Sequence, residues 1–142
     1  MLPLIFGLSG PELSDDERAF FREADPAGVI LFGRNVGDPA QLRALTDELR
    51  AVSGRDDILI LIDQEGGRVA RLQPPHWPAF PAQARFGELY ARAPISGLEA
   101  ARAHLDQELR QLRAILPESS TTTTLTGSKP TPSSPPGTLR KS

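Results

Sequence analysis

A carboxylate, an amide, a second carboxylate, two glycines and two arginines meet in "DQEGGRVAR" at residues 63–71, directly after the apolar run "ILILI" at 58–62. If Asp63 closes an extended strand, its side chain and that of Glu65 emerge on the same side, about 7 Å apart. Paired carboxylates suggest glycoside hydrolysis, in which retaining enzymes hold them about 5–5.5 Å apart and inverting enzymes about 6.5–9.5 Å. Spacing along one strand does not choose between these outcomes. A simpler arrangement is favoured over direct catalysis: one acid faces a ligand and the other pairs with a nearby arginine. Arg68 and Arg71 are at hand, and a planar guanidinium can grip a carboxylate by two points, in the protein or in a ligand.

Gly66 and Gly67 admit two uses. Glycines let backbone N–H groups approach an anion, but the lysine and hydroxyl residue of a phosphate loop are missing and no GxGxxG follows. A tight turn from strand to helix, with positive φ at the glycines, is the favoured alternative. A second polar group, Arg34 and Asn35 in "GRNVGDP", follows the apolar run "GVILF". His76 stands beside Trp77 in "PPHWPAF" and is expected to be a packed loop histidine before a rim residue. His104 falls within a helical pattern and reads as part of a helix surface. Neither histidine has a metal-ligand spacing such as HExxH, and no GxSxG elbow occurs. No cofactor and no metal are expected.

Three elements must position these groups. Residues 2–8, 28–32 and 58–62 are short apolar runs bounded by Gly, Pro, Asp or Ser, which suits strands of a parallel sheet buried on both faces. Between them lie helix starts. Ser14 with Glu17 forms a capping box, while Asp38, Pro39 and Gln41 supply an N-cap, an N1 proline and an N3 glutamine. Leu42, Leu45, Leu49 and Val52 then fall on one helical face. A third cap, Ser96 with Glu99, opens a stripe from Leu98 through Leu105, Leu109 and Leu112 to Leu116 that is expected to face the core.

Alternating strands and helices predict an α/β fold in which functional groups gather at the carboxyl ends of the strands. About three βα units fit residues 1–116, whereas a closed (β/α)8 barrel needs roughly 250 residues. The expectation is either a small open sheet or an incomplete TIM barrel with exposed strand edges and apolar helix faces. Residues 117–142 change character: they are rich in Ser, Thr and Pro, with two leucines and no aromatic residue. Such a segment cannot offset its ordering entropy by burial, and it is expected to be a disordered tail.

Composition narrows the function further. Of 142 residues, 16 are Lys or Arg and 18 are Asp or Glu, for a net charge of -2. No basic field points to nucleic acid. The absence of cysteine excludes disulfides, thiolate metal sites and cysteine nucleophiles. The opening "MLPLIFGLSGPELSDDE" has neither a basic leader nor a membrane-length apolar stretch, so a cytoplasmic protein without membrane association is expected.

"GVILFGRNVGDPAQLRALTDELR" followed by "ILIDQEGGRVARLQPPHWPAFPAQARFG" resembles the amino-terminal part of glycoside hydrolase family 3 enzymes of the bacterial β-N-acetylglucosaminidase type. The resemblance runs from about Leu2 to Ala103. It implies a TIM-barrel domain, a retaining mechanism without metal, and removal of terminal N-acetylglucosamine from peptidoglycan fragments during cell-wall recycling. It further implies that Asp63 and Arg71 bind the sugar, with Glu65, Gly66 and Gly67 forming and supporting the turn. The family's histidine acid/base, its aspartate nucleophile and a Lys-His-x-Pro-Gly-His-Gly segment come later in the chain, and none has a counterpart here. After "APISGLEAARAH" the sequence departs from the family pattern, which suggests a reading frame altered near His104; the other two frames of the downstream DNA would test this. The expectation is a segment that keeps sugar-binding residues and lacks catalysis alone. The alternatives are a non-catalytic sugar-binding module and a small phosphate-binding α/β protein.

Overall fold

The computed structural model describes residues 1–115, so the expected tail and Leu116 lie outside the described residues. Strand β1 (Leu2–Gly7), helix α1 (Asp15–Ala24), strand β2 (Pro26–Leu31), helix α2 (Pro39–Ser53) and strand β3 (Leu59–Ile62) form two consecutive βαβ units. The three strands are parallel, in the order β1-β2-β3.

Local chemistry explains the helix ends. Ser14 Oγ accepts from the Glu17 N–H at 3.2 Å while Glu17 Oε2 accepts from the Ser14 N–H at 2.8 Å, completing the expected capping box. Glu17 Oε1 also accepts from the Ser9 N–H, tying α1 to the loop after β1. Burial pushes the Glu17 carboxyl up, but the N–H donors of Ser14 and Ser9 outweigh it and hold the group below its usual range. In α2, Asp38 Oδ1 accepts from Ala40 and Gln41 N–H groups and Pro39 takes the first helical position. Gln41 does not close a capping box on Asp38. Its side chain accepts from the Gly37 N–H and donates to Pro11 and Asn35 carbonyls, clasping the loops at the strand ends.

The two sheet faces differ. Phe6, Val29, Leu31, Ile60 and Ile62 share one face and pack with Phe21, Leu42, Leu45 and Leu49 from α1 and α2 into the core. Leu8, Leu13 and Ile58 close its edges. The opposite face carries Ile5, Ile30, Leu59 and Leu61, with Ile5 49% and Leu59 38% exposed. Burial on both faces, expected from the apolar runs, therefore holds for neither outer strand: β1 is an exposed edge, and Leu2 and Leu4 are also open to solvent. Gly28 lies at the centre of the open face, where a Cβ would come within 2.7 Å of the Leu59 carbonyl oxygen. Its lack of a side chain permits the close β2–β3 approach.

After β3 the chain makes a two-stranded antiparallel hairpin, β4 (Gln64–Gly66) and β5 (Val69–Ala70), then a loop, and finally helices α3 (Ala84–Arg92) and α4 (Pro94–Ile115). Helix α3 was not legible as a separate element. The expected Ser96 cap lies inside α4, which begins at Pro94, since proline's fixed φ suits the first turn. Gly97 lets α3 and α4 touch: a Cβ there would stand 2.5 Å from Tyr90 Cα. The far end of α4 returns to the βαβ core through Ile115 and Leu112, and Arg43 of α2 donates to the Ala114 carbonyl.

Candidate functional site

The end of β3 holds the acid and arginine singled out from sequence. Asp63 directly follows the last paired rung, Leu31↔Ile62, at the carboxyl end of β3. Arg71, at the end of the hairpin, donates from Nη2 to Asp63 Oδ2 at 3.0 Å. The pair is partly solvated, with the side chains 27% exposed for Arg71 and 41% for Asp63. Among the described residues Asp63 Oδ1 accepts no hydrogen bond, and the buried Arg71 Nε donates none. A free acceptor and a free donor therefore lie side by side.

Gln64 builds this arrangement, a role the sequence did not disclose. Its Oε1 accepts from the Arg71 and Leu72 N–H groups at 2.9 and 3.0 Å, and its Nε2 donates to the Leu72 carbonyl at 3.1 Å. One amide thus fixes the backbone that carries the arginine. The only available signal was its position between the two acids.

Gly66 and Gly67 have φ of 78° and 60°, as the turn expectation required. The turn, however, joins two strands and does not lead from strand to helix. A Cβ at Gly66 would collide with the Pro81 carbonyl, and the Gly67 N–H donates to Phe80 O at 2.9 Å. The hairpin is thus seated directly against the following loop, where Leu72, Trp77 and Phe80 are buried. Its backbone donor is used within the protein, which leaves the phosphate-cradle alternative without its N–H group at Gly67.

Glu65 is exposed in β4 and forms no ion pair among the described residues, whereas Asp63 precedes that strand and pairs with Arg71. Arg68 is exposed and likewise unpaired among them. Asn35 is fully buried; it accepts from the Phe32 N–H and donates to Leu8 and Gly10 carbonyls, joining the ends of β1 and β2. Arg34 stays at the surface, with its guanidinium carbon 4.7 Å above the Phe32 ring.

Both histidines differ from expectation. His76 is exposed and meets only the edge of Trp77 in aromatic contact, since it sits on a turn that the Trp77 N–H closes by donating to the Gln73 carbonyl. His104 is buried, stacked on Phe86 at 4.8 Å and against the edge of Phe80 at 4.9 Å. The α3–α4 hairpin covers the helix face that a linear pattern leaves open. Glu108, one turn on, lies 3.4 Å from His104 Nε2, and burial pushes its carboxyl up, opposed by the attraction of His104. Among the described residues there is no group of three or more His, Cys, Asp or Glu side chains able to hold a metal. No described helix is long and apolar enough to cross a membrane.

Against known proteins, no family model matches the chain. Individual relatives do. The β-hexosaminidase of Xanthomonas oryzae pv. oryzae is 42% identical over 111 residues, covering 78% of this chain and 33% of the relative. The chain belongs to the β-hexosaminidases of glycoside hydrolase family 3. It spans about a third of the length of the curated β-hexosaminidases it matches. Among solved structures, NagZ from Neisseria gonorrhoeae in complex with N-trifluoroacetyl-D-glucosamine superposes with a TM-score of 0.61 at 29% identity, over 72% of this chain and 28% of that one. A family 3 β-N-acetylglucosaminidase from Paenibacillus superposes with a TM-score of 0.53 at 38% identity, over 58% and 16%. The mixed α/β architecture of the chain, with its parallel sheet, is similar to that of the amino-terminal region of NagZ.

Proposed function

We propose that the chain is the sugar-holding segment of a retaining β-N-acetylhexosaminidase that removes terminal N-acetylglucosamine from peptidoglycan fragments in the cytoplasm. On this reading residues 1–116 belong to the first part of a TIM-barrel domain, with Asp63 just past β3 and Arg71 brought to it by the hairpin. The observation that carries this reading is the half-solvated Asp63–Arg71 pair with its unused oxygen and nitrogen. A sugar hydroxyl both donates and accepts, so the pair can engage one hydroxyl or a neighbouring two at once.

The pair does not supply chemistry. Retaining hydrolysis needs a nucleophile and an acid/base as a unit, and loss of such a unit removes almost all rate enhancement. Glu65 is separated from Asp63 into the hairpin and lacks a partner that would tune it. The segment therefore binds without turnover, which is also the form the non-catalytic module would take.

Two measurements on the full chain test this. In ligand-observed NMR, N-acetylglucosamine should show saturation transfer that disappears in Asp63→Ala. A chromogenic N-acetyl-β-glucosaminide should be hydrolysed no faster than in buffer. Turnover well above blank that Asp63→Ala abolishes would sink the non-catalytic reading, and saturation transfer unaffected by that substitution would sink the binding role.

A further inference from the structure

The same end of the sheet carries a second fixed cation. Arg34 is held from two directions: its Nε donates to the Leu8 carbonyl at 2.6 Å, and its guanidinium lies 4.7 Å over the Phe32 ring. Gly7 provides the room. A Cβ there would come within 3.1 Å of Phe32 Cε2 and 3.3 Å of Arg34 Nη2, so a side chain on β1 would displace both. The remaining guanidinium nitrogens meet no carboxylate among the described residues, in contrast to Arg18, Arg50, Arg55, Arg71 and Arg85, which are all ion-paired. Arg34 is exposed, oriented and uncompensated, and most of the entropic cost of ordering it is already met by the fold.

Its position relates it to the sugar site. Phe32 and Asp63 each stand one residue past the Leu31↔Ile62 rung. Arg34, just past β2 and held against the end of β1, and Arg71, paired to Asp63 just past β3, are thus both carried at the carboxyl end of the sheet.

We propose that Arg34 is a specificity-determining residue that recognises an oxyanion, a carboxylate or a phosphate, on the glycoside held by Asp63 and Arg71. This rests on the sugar-binding reading of that pair. A guanidinium with both terminal nitrogens free gains a charge-assisted, two-point contact with an oxyanion, and only a single neutral hydrogen bond with a hydroxyl.

The test is calorimetric titration of the full chain with N-acetylglucosamine, with N-acetylmuramic acid as the carboxylate probe, and with N-acetylglucosamine 6-phosphate as the phosphate probe. At low ionic strength at least one anionic sugar should bind about tenfold more tightly than the neutral one. Which one does so identifies the source of the oxyanion. Arg34→Gln should bring that affinity ratio close to one, Arg34→Lys should restore part of it, and Phe32→Leu should reduce it by loosening the guanidinium. Circular dichroism and a thermal midpoint establish that each variant is folded; in wild type the ratio should also collapse with added salt.

Equal affinities for neutral and anionic sugars in wild type would overturn the proposal. So would a preference that survives Arg34→Gln and is lost in Arg71→Gln. Anionic sugars that bind through Arg34 while N-acetylglucosamine does not bind would support the oxyanion site and overturn the sugar reading. No binding by any of the three overturns both.

Discussion

Residues 2–62 and residues 63–115 are stabilised by different means. The βαβαβ portion rests on a contiguous apolar core under one sheet face, with Phe21, Val29, Leu42 and Leu49 each at most 2% exposed. The portion after Asp63 has a thinner core and depends on a few directional contacts: the three Gln64 hydrogen bonds, the Gly67–Phe80 bond, and the aromatic sandwich around His104. Apolar burial is non-directional and tolerates repacking, whereas a buried polar contact costs its full desolvation when one partner goes. Arg71 is carried by the second kind of structure, so its geometry is more easily lost than the fold beneath it.

Perturbation in each region can break or sharpen this contrast. The largest effect is expected for Phe21→Ala, which should cost about 3–5 kcal/mol in urea unfolding and lower all probes together, because it empties the core shared by α1 and the sheet. Gly66→Ala should come next, at more than about 2 kcal/mol, since it combines positive φ with a collision at Pro81. Its signature should be local: altered Trp77 fluorescence with the circular dichroism of the βαβαβ portion kept. A change of equal size in both signals would remove the distinction between the regions.

Gln64→Leu is expected to cost about 2–3 kcal/mol by stranding the Arg71 and Leu72 N–H groups. Hydrogen exchange should accelerate at those two amides before it does in β2. Glu108→Gln should stabilise the protein by about 1 kcal/mol near neutral pH by removing a charge that is costly to bury. The folded-state pKa of Glu108 lies above its ordinary 4.5, so wild type loses stability as pH rises from 4.5 through that raised value. The gain from Glu108→Gln should accordingly shrink as pH falls toward 4.5, as followed by thermal midpoint.

The smallest effect is expected at Asp25, whose carboxyl is held low by the Met1 amino group and by Arg55. Here the sign is reversed. Asp25→Asn should lower the midpoint slightly above pH 4, and the difference should vanish in acid as wild-type Asp25 becomes protonated.

Much of the first region was legible in the sequence because its determinants are local. Ser14–Glu17 and Asp38–Pro39 mark helix starts whose donors lie within three residues of their acceptors, and three apolar runs of strand length separate them. The second region was less legible because its partners are distant or equivocal. Helix α3 has no buried residue of its own to give it a periodic stripe, and its N-terminus lacks a side-chain cap. His104 looked like surface because Phe80 and Phe86, which enclose it, lie 24 and 18 positions away in sequence. The open sheet face escaped a pattern-based expectation of burial, since an apolar run reports what a face could bury and not whether anything covers it.

The stretch at 63–71 divides in the same way. Sequence alone determined that an acid and an arginine stand at a strand end beside two glycines in left-handed turns, because residue types and strand period are written locally. Only the tertiary structure decided that Arg71 pairs with Asp63 and not with Glu65, that Gln64 fixes the backbone of that arginine, and that Arg34 is held on Phe32 against the end of β1. Those choices depend on where a hairpin folds back and which strands are neighbours, and long-range contacts of that kind are set by packing in three dimensions.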